Sequence, residues 1–204
     1  MLETMYKIRL NSLKTMTFLF IILLLARPVQ AQEDTRPAHK NALKTTFLSF
    51  ITGSSKLTYE RVTFPKQSVE LTAGIIGIGF DKFKVNPKGG LLRAGYKFNL
   101  LQVAGNNSEA ASSVLSGLYI KPEYAWSFFD YDSKDATSNR IHSSMQTIMA
   151  CIGYQQEIKW LVLDGFVGAG VGWGEPVELQ YHHGFIERYG WLTLTFSVKV
   201  GFSF

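Results

Sequence analysis

The chain has 204 residues, a net charge of +5 and a single cysteine, and 14% of its residues are aromatic. Lys7, Arg9, Lys14 and Arg27 against Glu3 place +3 of that charge in the first 31 residues, which leaves +2 for the remainder. Nucleic-acid binding therefore has no support in the composition. One cysteine also excludes an intramolecular disulfide and a cysteine metal cluster.

The N-terminal segment predicts a cleaved secretory signal over residues 1–31. A basic region precedes an apolar run at 18–26, and Val29-Gln30-Ala31 puts small residues where a signal peptidase cleaves. The apolar run is too short to cross a hydrocarbon core of about 30 Å as a helix. Residues 32–41 are then a short polar leader on the periplasmic side, and 42–204 form the folded domain.

From residue 42 onward, apolar and polar residues alternate in segments separated by turn residues, which predicts β-strands. The last segment alternates without interruption up to Phe204. The eight predicted strands are 42–51, 56–62, 68–80, 91–100, 117–131, 141–157, 160–173 and 191–204. A slip in the pattern at Ile75 and Ile76 predicts a β-bulge. Pro122 predicts another bulge, because proline removes a hydrogen bond from the ladder.

Two architectures fit eight such strands after a signal segment: a secreted lipocalin-like barrel and an outer-membrane barrel. The first has its apolar face inside, and the second has it against lipid. Aromatic residues near the segment ends, among them Tyr59, Trp126 and Trp173, favour the membrane version. We therefore predict an all-β, eight-stranded, antiparallel up-and-down transmembrane barrel. Both termini would face the periplasm, and the loops 81–90, 130–140 and 175–190 would lie outside the cell.

Three short motifs resemble a family of small, functionally uncharacterised outer-membrane β-barrel proteins of Gram-negative bacteria, similar in architecture to the OmpA barrel. They are Lys40-Asn-Ala-Leu-Lys44, Leu57-Thr-Tyr-Glu-Arg61, and Gly117-Leu-Tyr-Ile with Pro122-Glu123. The resemblance implies this fold and a location in the cell outer membrane, and it supplies no reaction.

The expected partners of such a barrel are outer-membrane lipid, lipopolysaccharide and the outer-membrane assembly machinery, and a monomer is expected. Phe202 and Phe204 resemble the C-terminal signal that this machinery recognises. On this view the loss of Phe204 would hinder assembly more than it changes the folded barrel.

The minority face of the predicted strands carries charges that a barrel would enclose. These residues are Lys44, Glu60, Glu70, Arg93, Lys97, Lys121, Glu123, Asp164 and Lys199. A barrel of eight strands is filled by side chains and leaves no water path, so we predict a plugged interior with nearly balanced charges in an ion-pair network. Arg93 is the predicted hub because its fork can bind two carboxylates, and Arg93→Met would cost about 3–5 kcal/mol.

Two patterns raise the possibility of chemistry. His142 and Ser144 share one face of a strand, as in outer-membrane lipid A deacylases that pair a histidine and a serine with a carboxylate. The candidate carboxylates are Asp130, Asp132, Asp135 and the more distant Glu157. Separately, His182 and His183 lie near Glu178 and Glu187 in a loop and could hold a metal, although adjacent residues of an extended chain point to opposite sides.

The glycine-rich run at 168–174 does not have the context of a nucleotide-binding loop, because its glycines recur every second residue inside a strand. The sequence thus predicts a structural or interaction protein without enzymatic activity, cofactor or metal. Two alternatives stay open: a lipid-modifying barrel enzyme, and an adhesion or ligand-binding barrel that acts through its outer loops.

Overall fold

A computed structural model describes residues 39–81, 84–101, 115–133, 140–174 and 192–204. The predicted signal segment lies outside these described residues. The elements are β1 (Asn41–Thr46), a 3-10 helix (Phe47–Thr52), β2 (Ser54–Phe64), β3 (Gln67–Ile76), β4 (Lys88–Leu101), β5 (Gly117–Asp132), β6 (Arg140–Ile158), β7 (Leu161–Gly174) and β8 (Leu192–Ser203). Among the described residues, no helix is long and apolar enough to cross a membrane.

The eight strands form a closed barrel in which each strand pairs antiparallel with its neighbour in sequence. β1 closes the barrel against β8, with Leu43 opposite Phe202 and Thr46 opposite Lys199. The predicted all-β, antiparallel, up-and-down barrel is therefore confirmed. We call the end with Asn41 and Ser203 the terminal rim, and the end with the 3-10 helix the loop rim.

Side chains alternate across the barrel wall, because successive residues of a strand point to opposite faces. In β8, Thr193, Thr195 and Lys199 are buried inside, whereas Phe202 is 48% exposed outside. The same alternation in all eight strands places the charged minority face inside the barrel. The inner face is therefore rich in polar residues, and the outer face is apolar.

The first strand ends earlier than predicted, because local hydrogen bonds compete with the strand ladder. The Ser49 hydroxyl donates to the Thr46 carbonyl at 2.7 Å, and the Thr52 hydroxyl donates to the Ser49 carbonyl at 2.9 Å. These bonds stabilise the 3-10 turn, and Gly53 ends it in the left-handed region at φ 70°. The prediction of a strand over 42–51 is wrong beyond Thr46.

The two predicted bulges are also wrong. Ile75 is 56% exposed and Ile76 is 1% exposed, so alternation continues to the last residue of β3. Ile76 faces inward because it packs against Leu91 and Phe129 inside the loop rim. Pro122 lies opposite Ala150 without a register shift.

The register shifts that do occur near these strands fall close to their ends. One lies between Val62 and Phe64 in β2, and the other lies between Asn99 and Leu101 in β4. Both positions are at the terminal rim, where the ladder ends and an irregularity disturbs few hydrogen bonds.

Apolar clusters bound the charged interior. The loop-rim cluster contains Ile76, Val85, Leu91 and Phe129, and the terminal-rim cluster contains Ala42, Leu115 and Val162. A third cluster beside the charges contains Tyr119, Ala125, Met149, Cys151 and Phe166. The glycine-rich run lies within β7, where a Cβ at Gly168 would come within 2.6 Å of the Cys151 sulfur. Small residues on this strand therefore leave room for the bulky interior side chains.

Candidate functional site

The nine charged residues expected to face inward are all buried inside the barrel, each at most 6% exposed. They come from seven of the eight strands, and β6 contributes none of the nine. Burial of this kind is costly for any charge without a partner, so the contacts among these side chains decide what the interior can do.

Lys44 binds three carboxylates at once. Its ammonium lies 2.6 Å from Glu60 Oε2, 2.9 Å from Glu70 Oε2 and 2.7 Å from Asp164 Oδ2, and it also donates to Gln155 Oε1 at 3.1 Å. The three acids offer oxygens within 4.8 Å of one another, a spacing that could hold a metal ion. In this structure the Lys44 ammonium lies among those oxygens and supplies the positive charge.

Lys97 contacts the same three acids as Lys44. Its ammonium lies 2.9 Å from Asp164 Oδ2 and 3.2 Å from Glu60 Oε2, and it donates to Gln155 Oε1 at 2.6 Å. The same ammonium lies 4.2 Å from the centre of the Tyr119 ring, whose hydroxyl donates to Asp164 Oδ1 at 2.6 Å. Two ammoniums thus share one set of oxygens.

Glu70 is the centre of the network. Its Oε2 contacts Lys44 and lies 3.2 Å from the Lys97 ammonium. Its Oε1 contacts the Lys121 ammonium at 2.8 Å and the Lys199 ammonium at 2.5 Å. One carboxylate therefore bridges four lysines that come from β1, β4, β5 and β8.

The prediction that Arg93 is the hub is wrong. Arg93 lies opposite Thr72, whereas Glu70 lies opposite Gly95, so the register places the guanidinium away from the central acids. Arg93 Nη1 lies 3.3 Å from Glu123 Oε1. The prediction rested on the ability of a guanidinium to bind two carboxylates. The position of each residue along its strand instead decided which cation reaches the central acids.

Gly95 allows Lys121 to reach Glu70. A Cβ at position 95 would lie 2.8 Å from Lys121 Cδ, so any larger residue would push the lysine aside. Lys121 also contacts Glu123 at 2.5 Å, and its ammonium lies 4.1 Å from the centre of the Phe166 ring. The glycine, the acids and the aromatic ring together fix the position of this ammonium.

Three residues that hydrogen-bond to the charged network, and one further buried lysine, were missing from the prediction. Ser68 donates to Glu60 Oε1 at 2.5 Å, and Gln155 and Tyr119 make the contacts given above. Ser68 shares the inward face of β3 with Glu70, and Tyr119 shares the inward face of β5 with Lys121, so parity was a signal that could have identified both. Gln155 lies on β6, which carried no predicted network residue. The fourth, Lys56, is 5% exposed and makes no ion pair in the described part of the chain.

Lys56 changes the charge balance. The prediction counted five cations against four anions, and with Lys56 the described interior holds six cations against the same four anions. The positive excess lies near Arg93, toward the loop rim. The described interior therefore holds one more cation than the prediction counted, and the expected near balance of charge is wrong.

The carboxylate of Glu157 lies at the terminal rim, far from His142. It accepts a hydrogen bond from Ser203 and lies 2.7 Å from His39 Nδ1, and the Ser203 hydroxyl is 3.0 Å from the same nitrogen. A relay from serine to carboxylate needs both ring nitrogens, and here one nitrogen makes both contacts. This group ties the segment before β1 to the ends of β6 and β8.

Both predicted assembly residues point outward at the terminal rim. Phe202 is 48% exposed and Phe204 is 56% exposed, and their ring centres are 6.3 Å apart. The Asn41 amide donates to the Phe204 carbonyl at 3.1 Å, and the Phe204 amide donates to the Asn41 carbonyl at 2.9 Å. These bonds extend the β1–β8 pairing to the last residue.

His142 and Ser144 lie on the outer face near the loop rim. His142 Nδ1 is 2.7 Å from Asp130 Oδ1, and the two residues are directly opposite each other on β6 and β5. Asp132 contacts Arg140 at 4.0 Å. The remaining candidates Asp135, Glu178, His182, His183 and Glu187 lie outside the described residues.

The nine predicted charges of the interior pair with one another between the loop-rim and terminal-rim apolar clusters. No protein-family model, no curated protein and no solved structure matches this chain.

Proposed function

We propose that this chain is a small outer-membrane β-barrel with a structural or interaction role, a plugged lumen and no open pore. One observation carries the proposal: the charged face is inside and the apolar face is outside. Leu57, Leu71 and Ile148 are each more than half exposed, whereas Lys44 and Asp164 are 1% exposed. Complete transfer of a leucine or isoleucine side chain out of water is favourable by about 1.5–3 kcal/mol, so covering the exposed half of each of these three with lipid contributes about half of that.

The outer aromatic residues support this location, because several of them make hydrogen bonds through their polar atoms near the two rims. Toward the terminal rim, the Tyr59 hydroxyl donates to Asn41 at 2.8 Å and the Tyr96 hydroxyl donates to Gln67 at 2.6 Å. Toward the loop rim, the Trp126 indole donates to Ser144 at 3.2 Å. Two belts of amphipathic rings around an apolar band are typical of barrels that span a bilayer.

The packing of the interior supports a plugged lumen without a pore. Four lysines converge on Glu70 across the barrel, and the apolar loop-rim and terminal-rim clusters lie on either side of them. Side chains fill a barrel of this strand number. Such a rigid, sealed barrel is suited to anchor loops at the cell surface.

Cell fractionation tests the location, and bilayer recording tests the plug. We expect the processed chain, beginning near Gln32, in the outer-membrane fraction after alkaline washing, and we expect no steady conductance from the reconstituted barrel. Recovery in the soluble periplasm would contradict the membrane proposal. A steady large-pore conductance would contradict the plugged lumen while leaving the location intact.

A further inference from the structure

The outer face of β5 and β6 carries a serine, a histidine and a carboxylate within one small patch near the loop rim. His142 Nδ1 is held 2.7 Å from Asp130 Oδ1, which leaves the second ring nitrogen without a partner in the described part of the chain. A histidine oriented in this way by a carboxylate can accept a proton through its other nitrogen.

Ser144 lies on the same outer face, two residues beyond His142. Outward residues of one strand are about 6.7 Å apart along the chain, a separation that a histidine side chain can bridge to a serine hydroxyl. The Ser144 oxygen accepts the Trp126 indole hydrogen at 3.2 Å. Its own proton goes to no acceptor among the described residues, His142 included, so the serine–histidine hydrogen bond would form when the substrate is bound.

The surroundings of this patch change from charged to apolar along the barrel axis. Arg140 lies beyond His142 at the loop rim, where it donates to the Asp130 carbonyl at 3.4 Å. Trp126 lies on the other side and is 39% exposed. In a membrane lipid, the phosphate, the ester and the acyl chain follow one another in the same order from the membrane surface inward.

We propose that Ser144, His142 and Asp130 form an esterase site on the outside of the barrel, which removes an acyl chain from a phosphate-bearing lipid. This inference rests on the membrane location proposed above and adds a reaction to the structural role. Ser144 would be the nucleophile and His142 the general base. Asp130 would be a positioning residue that acts through His142.

The reaction balances with water as the second reactant. The Ser144 oxygen adds to the ester carbonyl carbon while His142 takes the hydroxyl proton. The bond from that carbon to the alcohol oxygen then breaks, and the leaving oxygen receives the proton from His142. Water adds to the acyl-serine and gives a proton to His142, and collapse releases the fatty acid and returns the proton to Ser144.

The test uses the full processed chain, refolded in detergent, with two separate lipid probes. One is mixed micelles of phosphatidylethanolamine and phosphatidylglycerol, and the other is purified lipopolysaccharide. We expect mass spectrometry to show loss of one acyl chain in at least one arm, which also identifies the source of the lipid. Unchanged masses in both arms would overturn the proposal.

Two serine variants form a matched pair. Ser144→Ala should lower the rate to that of lipid without protein, whereas Ser143→Ala should keep activity because its side chain is buried on the opposite face at 0% exposure. A heat-dependent gel shift would confirm folding of each variant. Hydrolysis that survives Ser144→Ala would come from a contaminant, and this result would also overturn the proposal.

A fluorophosphonate probe gives a readout that does not depend on the lipid. It should label Ser144 in the folded protein, and His142→Ala should abolish the label. Asp130→Asn should lower kcat about 100-fold with little change in KM, and Asp130→Glu should restore part of the rate. A loss that follows only the folded fraction would contradict the positioning role of Asp130.

The detergent assay is independent of where the protein resides, so the two proposals can fail separately. Hydrolysis by a chain found in the soluble periplasm would refute only the membrane location. An outer-membrane chain with no hydrolysis and no label would refute only the esterase site.

Discussion

Replacing Glu70 by glutamine tests whether one carboxylate holds the charged interior together. Glu70 is 2% exposed, and its two oxygens contact four lysine ammoniums at 2.5–3.2 Å. Glutamine keeps the shape and one acceptor oxygen but removes the negative charge. The described interior would then hold six cations against three anions, so the lysines around position 70 would repel one another with less compensation, and Lys199 would lose the carboxylate that it contacts.

The expected cost follows from the number of contacts. Removing one partner of a buried ion pair costs about 3–5 kcal/mol, and Glu70 contacts four cations at once. We expect Glu70→Gln to lower the free energy of unfolding by about 5 kcal/mol, at the upper end of that range. The Lys44 ammonium would keep Glu60 and Asp164, which limits the loss.

Glu123→Gln is the matched control, because it makes the same chemical change at a residue that is 3% exposed. Glu123 contacts two cations, Lys121 at 2.5 Å and Arg93 at 3.3 Å. We expect a loss of about 3 kcal/mol for this control. Arg93→Met should cost less than the sequence implied, about 1–3 kcal/mol, because Glu123 keeps Lys121.

Urea unfolding of the barrel in lipid vesicles, followed by tryptophan fluorescence, would give these free energies by linear extrapolation. The gel shift of the folded band provides an independent check. Equal losses for Glu70→Gln and Glu123→Gln would refute the central role of Glu70. A larger loss for Arg93→Met than for Glu70→Gln would restore Arg93 as the hub.

Three further predictions use the same unfolding assay or the yield of folded protein. Lys56→Met should raise the free energy of unfolding by about 1 kcal/mol or more, because it removes a buried cation that has no ion pair in the described chain; a decrease would contradict this. Gly95→Ala should cost about 1–3 kcal/mol by displacing Lys121, whereas Gly165→Ala, whose Cβ would meet nothing within 4 Å, should be close to neutral; equal effects would count against the steric reasoning. Phe204→Ala should reduce the outer-membrane yield in cells more than it reduces the stability of the refolded barrel, and a wild-type yield would remove the phenylalanine from the assembly signal.

Strand identity and the two faces of each strand could be predicted from the sequence, because alternation with a period of two is a local property of an extended chain. Lys44, Glu70 and Asp164 could be placed on the inner face without knowing their neighbours. The 3-10 helix after Thr46 was missed, since the hydroxyl contacts that stabilise it do not change the hydrophobic pattern. The pattern slip at Ile76 was misread as a bulge, since an apolar rim cluster can bury a residue without disturbing the register.

The partners inside the barrel depended on the closed structure. Lys44 and Asp164 are 120 positions apart and meet because β1 closes onto β8, which pairs with β7. The strand register then set the level of each charge, so that Glu70 came to the centre and Arg93 did not. The sequence by itself determined which side chains face inward, because alternate residues of one strand point to opposite faces of the sheet. Only the tertiary structure decided which charges meet, because meeting depends on the relative register of strands that are remote in the chain.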